Sequence, residues 1–139
     1  MRHLLGEPYH LAYVDRHDRT LVVETDSGST GIIEMSPYLT SVDWQESALI
    51  AFEHGCIRLK LPAPLVINQP GTVEIFHDPG SGRTPVSSAP SLPWVHAMRQ
   101  QAANFISAVR GDIEPMCTAE EAMQDLLIAR DYIRLRFGV

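Results

Sequence analysis

Six histidines (His3, His10, His17, His54, His77 and His96) and two cysteines (Cys56 and Cys117) are the residues best suited to metal or nucleophile chemistry. A zinc site needs imidazoles and thiolates grouped at short, regular spacings. None of the histidines stands at such a spacing from a second histidine, a cysteine or an acid cluster. His17, flanked by Asp15 and Asp18, comes nearest, and that stretch reads as a solvated turn. No metal site is therefore expected. Cys117 precedes a helix start, where a thiolate is stabilised, but no base accompanies it to complete a nucleophile. Cys56 lies beside Ile57 in a strand and reads as a small hydrophobe. Gly28 and Gly31, in DSGSTG, join two strands with no helix following, so a dinucleotide-binding loop fails on context, and no P-loop is present. Trp44 and Trp94 each stand where a strand or a helix emerges from a loop, which is where pockets form. By residue type and spacing alone the chain shows no catalytic, cofactor-binding or metal set.

The elements that would position these residues are legible from hydrophobic period. Thr118–Phe137 reads as an amphipathic helix with apolar Ala122, Leu126, Ala129, Ile133 and Phe137 along one face, widened by Met123 and Leu127. Thr118 and Glu121 form a capping box, and Gly138 supplies a stop. A second helix spans Trp94–Arg110, with Trp94, Met98, Ala102, Phe105 and Val109 in register, and ends at Gly111. Before it, alternation of period two marks strands at Tyr9–Val14, Thr20–Thr25, Gly31–Ser36, Ser47–Glu53, Cys56–Leu61 and Thr72–Phe76, joined by short turns. Tyr9, Leu11 and Tyr13 are expected on one side of the first. Residues 78–93, rich in Pro, Gly and Ser, form a long loop. Strands followed by helices predict an α+β two-layer sandwich: an open, mostly antiparallel sheet of about six strands with two C-terminal helices packed on one face.

The chain has 139 residues, enough for one ordinary domain with its own core. Its net charge of −6 argues against a nucleic-acid footprint. No stretch reaches the ~20 apolar residues of a membrane span, and no signal peptide is visible. Two cysteines without motif spacing suit free thiols in a reducing compartment, so a cytoplasmic location is expected. Met1–Gly6 reads like the last turn of a helix whose body lies upstream, and so like a start placed inside a longer protein.

Three stretches together resemble one family. Ser41–Pro64, SVDWQESALIAFEHGCIRLKLPAP, resembles a strand, a Glu-X-Gly turn and a second strand ending on Leu-Pro. Phe105–Gly138 resembles a terminal helix pair, with Gly and Pro between the helices and Thr-X-Glu opening the last. His3–Pro8, HLLGEP, resembles the segment directly after a catalytic helix. The family is that of glucose–fructose oxidoreductase, inositol dehydrogenase and MocA (Gfo/Idh/MocA). One departure is Phe52, where similar proteins commonly carry Gly.

The resemblance implies that residues 1–139 are the C-terminal substrate-binding and oligomerisation domain of an NAD(P)-dependent oxidoreductase acting on a sugar, cyclitol or related polyol. NAD or NADP would be held by an N-terminal Rossmann domain, and the Lys, Asp and His that move the substrate proton map onto no residue here. This chain alone is then expected to be inactive and to bind no cofactor. Trp44 falls where similar proteins often place an aromatic lining the sugar pocket, and Tyr38 and His96 are further pocket candidates. The alternative is a stand-alone sheet module for dimerisation or ligand binding. Either way self-association is expected through the open sheet face. Ile57, Leu59 and Leu61 are read as lying on the helix-covered side, while Val22, Ile32, Leu49, Ala51 and Phe76 leave the other side too apolar for water.

Overall fold

The computed structural model describes residues 1–35, 39–41 and 44–138. The chain is α+β. It divides into two compact units, one made of Met1–Pro37 with Met116–Val139 and the other of Tyr38–Pro115.

In the first unit α1 (Arg2–Leu5) is a single helical turn closed by Gly6 in the left-handed conformation. It leads into an antiparallel sheet of β1 (Tyr9–Val14), β2 (Thr20–Thr25) and β3 (Thr30–Glu34), in that order. Leu11 pairs with Val23, but Tyr13 pairs with Val22, so Ala12 is an extra residue in β1. Such a bulge reverses the alternation beyond it. Tyr9, Leu11 and Val14 therefore share the inner face with Leu21, Val23 and Thr25, while Tyr13 is 52% exposed. This corrects the expectation that Tyr13 would lie beside Tyr9 and Leu11.

The inner face carries the core. Val23 is fully buried, and Leu21 and Thr25 are buried beside it. A Cβ on Gly31 would come within 2.9 Å of Val23 Cγ2 and 3.3 Å of Met1 Sδ, so a glycine lets the strand and Met1 close over Val23. Buried Thr25 is satisfied within its hairpin, where its hydroxyl accepts from Ser29 N at 3.0 Å and meets Ser27 Oγ at 3.1 Å. Ser27 Oγ donates in turn to Glu7, which lowers that carboxyl's pKa.

α3 (Ala119–Phe137) packs against β1. Its start is the expected capping box: Thr118 Oγ1 accepts from Glu121 N at 3.2 Å, and Glu121 Oε2 accepts from Thr118 N at 2.8 Å. Gly138 closes the helix in the left-handed region. The face turned to the sheet is not the expected one. Asp125 accepts from Arg2 at 2.6 Å, Ile128 is half-buried, and Tyr132 and Arg136 both reach Asp18. Tyr9, on the inner face of the sheet, has its phenol pKa raised by burial and then by Asp125, consistent with α3 lying over that face. Leu126, Ile133 and Phe137 are 65%, 49% and 63% exposed. Hydrogen-bonded counter-charges, Arg2 for Asp125 and Asp18 for Arg136, lie on the side of α3 that is used.

In the second unit β4 (Glu46–Phe52), β5 (Gly55–Leu61), β6 (Thr72–His77) and β7 (Val86–Ser88) form an antiparallel meander. β7 falls inside the expected 78–93 loop. β6 passes so close to Gly55 that a Cβ there would collide with the Phe76 carbonyl oxygen. α2 (Ala97–Arg110) comes next and ends at Gly111 in the left-handed conformation. Its stripe, Phe105 and Val109 among others, is exposed.

Among the described residues seven strands thus form two sheets rather than one open sheet of about six, and α2 and α3 belong to different units. The residues expected to spoil a single open face divide accordingly. Val22 pairs with Ile32 in the first sheet, while Leu49, Ala51 and Phe76 lie in the second. Ile57, Leu59, Val73 and Ile75 share the other face of that second sheet, but none of them is buried. The expectation that Ile57 and Leu59 sit under the helices therefore gives way to a half-open apolar face, and Leu61 is 47% exposed.

Candidate functional site

A recess lies in the second unit, where β5 runs out at Leu61. Pro62 and Pro64 cannot continue a central strand, so the chain leaves the sheet and turns back through a bend in which Val66 N donates to Ala63 O at 3.0 Å. It rejoins at Gly71, where a Cβ would lie 3.1 Å from Lys60 O. The loop and the strand ends enclose a hollow of about 460 Å³ lined by Trp44, Lys60, Leu61, Val66, Gln69 and Thr72, among others. Trp44 enters from the segment before β4, with its indole Nε1 donating to Glu46 Oε2 at 3.1 Å. Trp44 is 45% exposed.

A shallower trough of about 300 Å³ adjoins it on the sheet, lined by Ser47, Leu49, Arg58, Lys60, Thr72 and Glu74, among others. Strand register explains this set: Leu49 stands opposite Arg58 and Arg58 opposite Glu74, while Ser47 stands opposite Lys60 and Lys60 opposite Thr72. Lys60 and Thr72 line both hollows. Among the described residues neither Arg58 nor Lys60 has an ion-pair partner.

Of the expected pocket residues, Trp44 lines the larger hollow. His96 does not line it. It is the N-cap of α2 and its Nδ1 is buried without a hydrogen-bond partner. Tyr38 lies outside the described residues. Sequence reasoning does not single out Lys60, Gln69 or Thr72. Alternation marks Lys60 only as an outward residue of its strand, and its place in a recess depends on where the Pro62–Pro70 loop returns.

The two acids that flank His17 are otherwise engaged. Asp15 Oδ2 accepts from His17 N at 3.0 Å in a turn of the main chain, and Asp18 is held by Tyr132 and Arg136. No group of three or more His, Cys, Asp or Glu able to hold a metal occurs among the described residues. Cys56 and Cys117 are free thiols, and Cys117 Sγ contacts Thr118 O at 3.6 Å. Among the described residues no helix is long and apolar enough to cross a membrane.

No protein-family model, curated protein or solved structure matches the chain.

Proposed function

We propose that this chain is the C-terminal substrate-pocket and oligomerisation domain of an NAD(P)-dependent oxidoreductase of the Gfo/Idh/MocA type, acting on a sugar, cyclitol or related polyol. NAD or NADP belongs to a Rossmann domain of the parent protein, and the chain alone is inactive. The observation that carries this reading is the Trp44 hollow. Trp44 brings an aromatic ring to the hollow, of the kind that stacks on the apolar side of a polyol ring, and Lys60, Gln69 and Thr72 offer polar contacts for hydroxyls. A pocket with a rigid aromatic wall and a few polar groups suits such a ligand better than a purely apolar one.

Trp44 is its own reporter. In a Trp94→Phe background, millimolar glucose or myo-inositol is expected to change Trp44 fluorescence saturably, and Trp44→Leu is expected to abolish binding in calorimetry. NAD and NADP are expected to give no calorimetric signal. A flat polyol titration overturns the pocket assignment, and saturable nicotinamide binding overturns the division of labour.

A second reading, a stand-alone sheet module, is favoured by the half-open apolar face carrying Ile50, Ile57, Leu59, Val73 and Ile75. Self-association belongs to both readings and is assigned here to this face, not to the expected side of Leu49, Ala51 and Phe76, because water disfavours so contiguous a patch. Phe52 lies at its rim and is 60% exposed, so Phe52→Glu leaves the fold intact while placing a charge in the contact. Light scattering is expected to find a dimer for the wild type and a monomer for Phe52→Glu. A monomeric wild type at about tens of micromolar removes the oligomer from either reading. The two readings separate on whether the reading frame upstream of Met1 encodes a strand–GxGxxG–helix unit.

A further inference from the structure

We infer that α2 of one copy lies on the open face of the second sheet of another, so that two copies exchange these helices about a two-fold axis. The inference rests on the self-association read above for that face and names what covers it.

The face and the helix are each half of a contact. Register sets Ile50, Ile57 and Ile75 in one row across β4, β5 and β6, and Ala48, Leu59 and Val73 in the next. None of these is buried and none is charged. On α2 the residues Met98, Ala102, Phe105 and Val109 recur at helical spacing and so lie along one side. Phe105 and Val109 are 69% and 72% exposed, and among the described residues α2 packs extensively against no other element. The dimensions agree. The 14 residues of α2 span about 21 Å, and strands of 6 or 7 residues span about 20–24 Å. The other face of the sheet carries Arg58, Lys60 and Glu74, charges that an apolar helix would strip of water.

The chain between β7 and α2 directs the helix to another copy. β7 is hydrogen-bonded to β6, which fixes Ser88 at the edge of the sheet. Residues 89–96 form no helix or strand, and Pro90 and Pro93 restrict Ala89 and Leu92 to extended conformations. Such a segment reaches roughly 25 Å and resists the reversal that would lay α2 back on its own sheet. A stiff connector that carries an apolar element outward favours its exchange between identical copies. The exchange is reciprocal, so the dimer buries two helix-on-sheet contacts, together on the order of the 1,600 Å² of a standard interface.

The test joins chosen positions of different copies. In a chain carrying Cys56→Ala and Cys117→Ser, Ala102→Cys marks the stripe of α2 and Ala48→Cys marks the open face, each by a small change. Two populations of the whole chain, one with each new cysteine and one of them lengthened by a tag, are mixed at about tens of micromolar and treated with a short bismaleimide. The mixed product, helix to sheet, is expected to exceed either like-to-like product several-fold. Phe105→Glu, at an exposed helix site, is expected to weaken the dimer about tenfold or more in light scattering, with circular dichroism unchanged. Products that join only Ala48→Cys chains to one another show sheet against sheet, and overturn the exchange while leaving self-association standing. A cross-link that forms only within single chains carrying both cysteines, or a Phe105→Glu chain as dimeric as the wild type, overturns it on the same terms. A monomeric wild type overturns both.

Discussion

The two units solve the same problem differently. Each is built on a small antiparallel sheet with one predominantly apolar face. In the first unit a helix, the Met1 side chain and a glycine at position 31 close that face, and Val23 loses all contact with water. In the second, no described residue is buried, and Ile57, Leu59, Val73 and Ile75 stay half-open. The difference lies in the segment of chain available to cover each sheet. The first recovers a helix from the far end of the chain and fixes it at both ends, Arg2 to Asp125 and Arg136 to Asp18, at 2.6 and 2.5 Å. The second leads into residues 78–96, of which only Val86–Ser88 pair with the sheet. A closed sheet stabilises itself, whereas an open one is stabilised by whatever comes to lie on it. The second unit is accordingly where the proposed ligand and partner surfaces are placed.

The largest expected effect breaks or supports this contrast directly. Val23→Ala removes two methyl groups from a fully buried site and is expected to destabilise by about 2 kcal/mol. Ile57→Ala deletes more atoms from a half-open site, yet is expected to cost about 1 kcal/mol in dilute solution. Chemical denaturation of the two variants measures both. A cost for Ile57→Ala that rises with protein concentration shows the open face being covered by a second copy. An equal cost at every concentration removes the contrast.

A smaller effect tests which side of α3 is used. Thr118→Ala loses the hydroxyl that accepts from Glu121 N, while its backbone N–H still donates to the Glu121 carboxylate, and is expected to destabilise by about 1 kcal/mol. Leu126→Ala, at a site 65% exposed, is expected to change stability by less than about 0.5 kcal/mol. That ranking inverts what the hydrophobic stripe alone predicts, where Leu126 would be the costlier site. Urea titration of both variants decides between them.

The features legible in sequence are local ones. Thr118 and Glu121 are three residues apart, so the capping box needs no knowledge of the fold. Gly111 and Gly138 stand directly after their helices, and the strands show themselves by period two. Three features stay hidden because their causes are distant or irregular. The Ala12 bulge leaves no pattern in YHLAYV, yet it moves Tyr13 outward and Val14 inward. The face of α3 is chosen by Asp18, 118 residues from Arg136. β7, with two serines in three residues, pairs with Phe76 and Ile75 through backbone groups and shows no apolar alternation. Trp44 is legible as a pocket candidate because an aromatic at a strand entrance is conspicuous. Lys60 is not, since its recess exists only where the Pro62–Pro70 loop comes back to β6.

The smallest expected effect concerns the clasp between the β1–β2 turn and the end of α3. Asp18 Oδ1 accepts from Arg136 Nε at 2.5 Å and from Tyr132 Oη at 2.7 Å, and Arg136 Nη2 also donates to Arg16 O at 2.7 Å. The Arg136 hydrogen bond, and then that from Tyr132, hold the Asp18 pKa below the ordinary aspartate value. A depressed folded-state pKa contributes stability that is fully present above the unfolded value of about 3.9 and is lost as pH falls through the folded value. Asp18→Asn keeps the shape and tolerates the positive φ of 57° at this position, since Asn and Asp both enter the left-handed region. It removes the charge and replaces one of the two carboxylate oxygens that accept from Arg136 with an amide nitrogen. The variant is expected to melt below the wild type at pH 7, with the gap closing as pH drops below about 4, where the wild-type carboxyl protonates as well. The gap is small because the pair is solvent-exposed. Both tryptophans lie in the second unit, so if the units are as different as their cores, the change appears in far-ultraviolet circular dichroism and not in tryptophan fluorescence. A melting gap that persists unchanged into acid shows that the Asp18 charge is not what the clasp uses. A tryptophan signal that moves in step with the backbone signal shows that the two units unfold as one and ends the contrast between them.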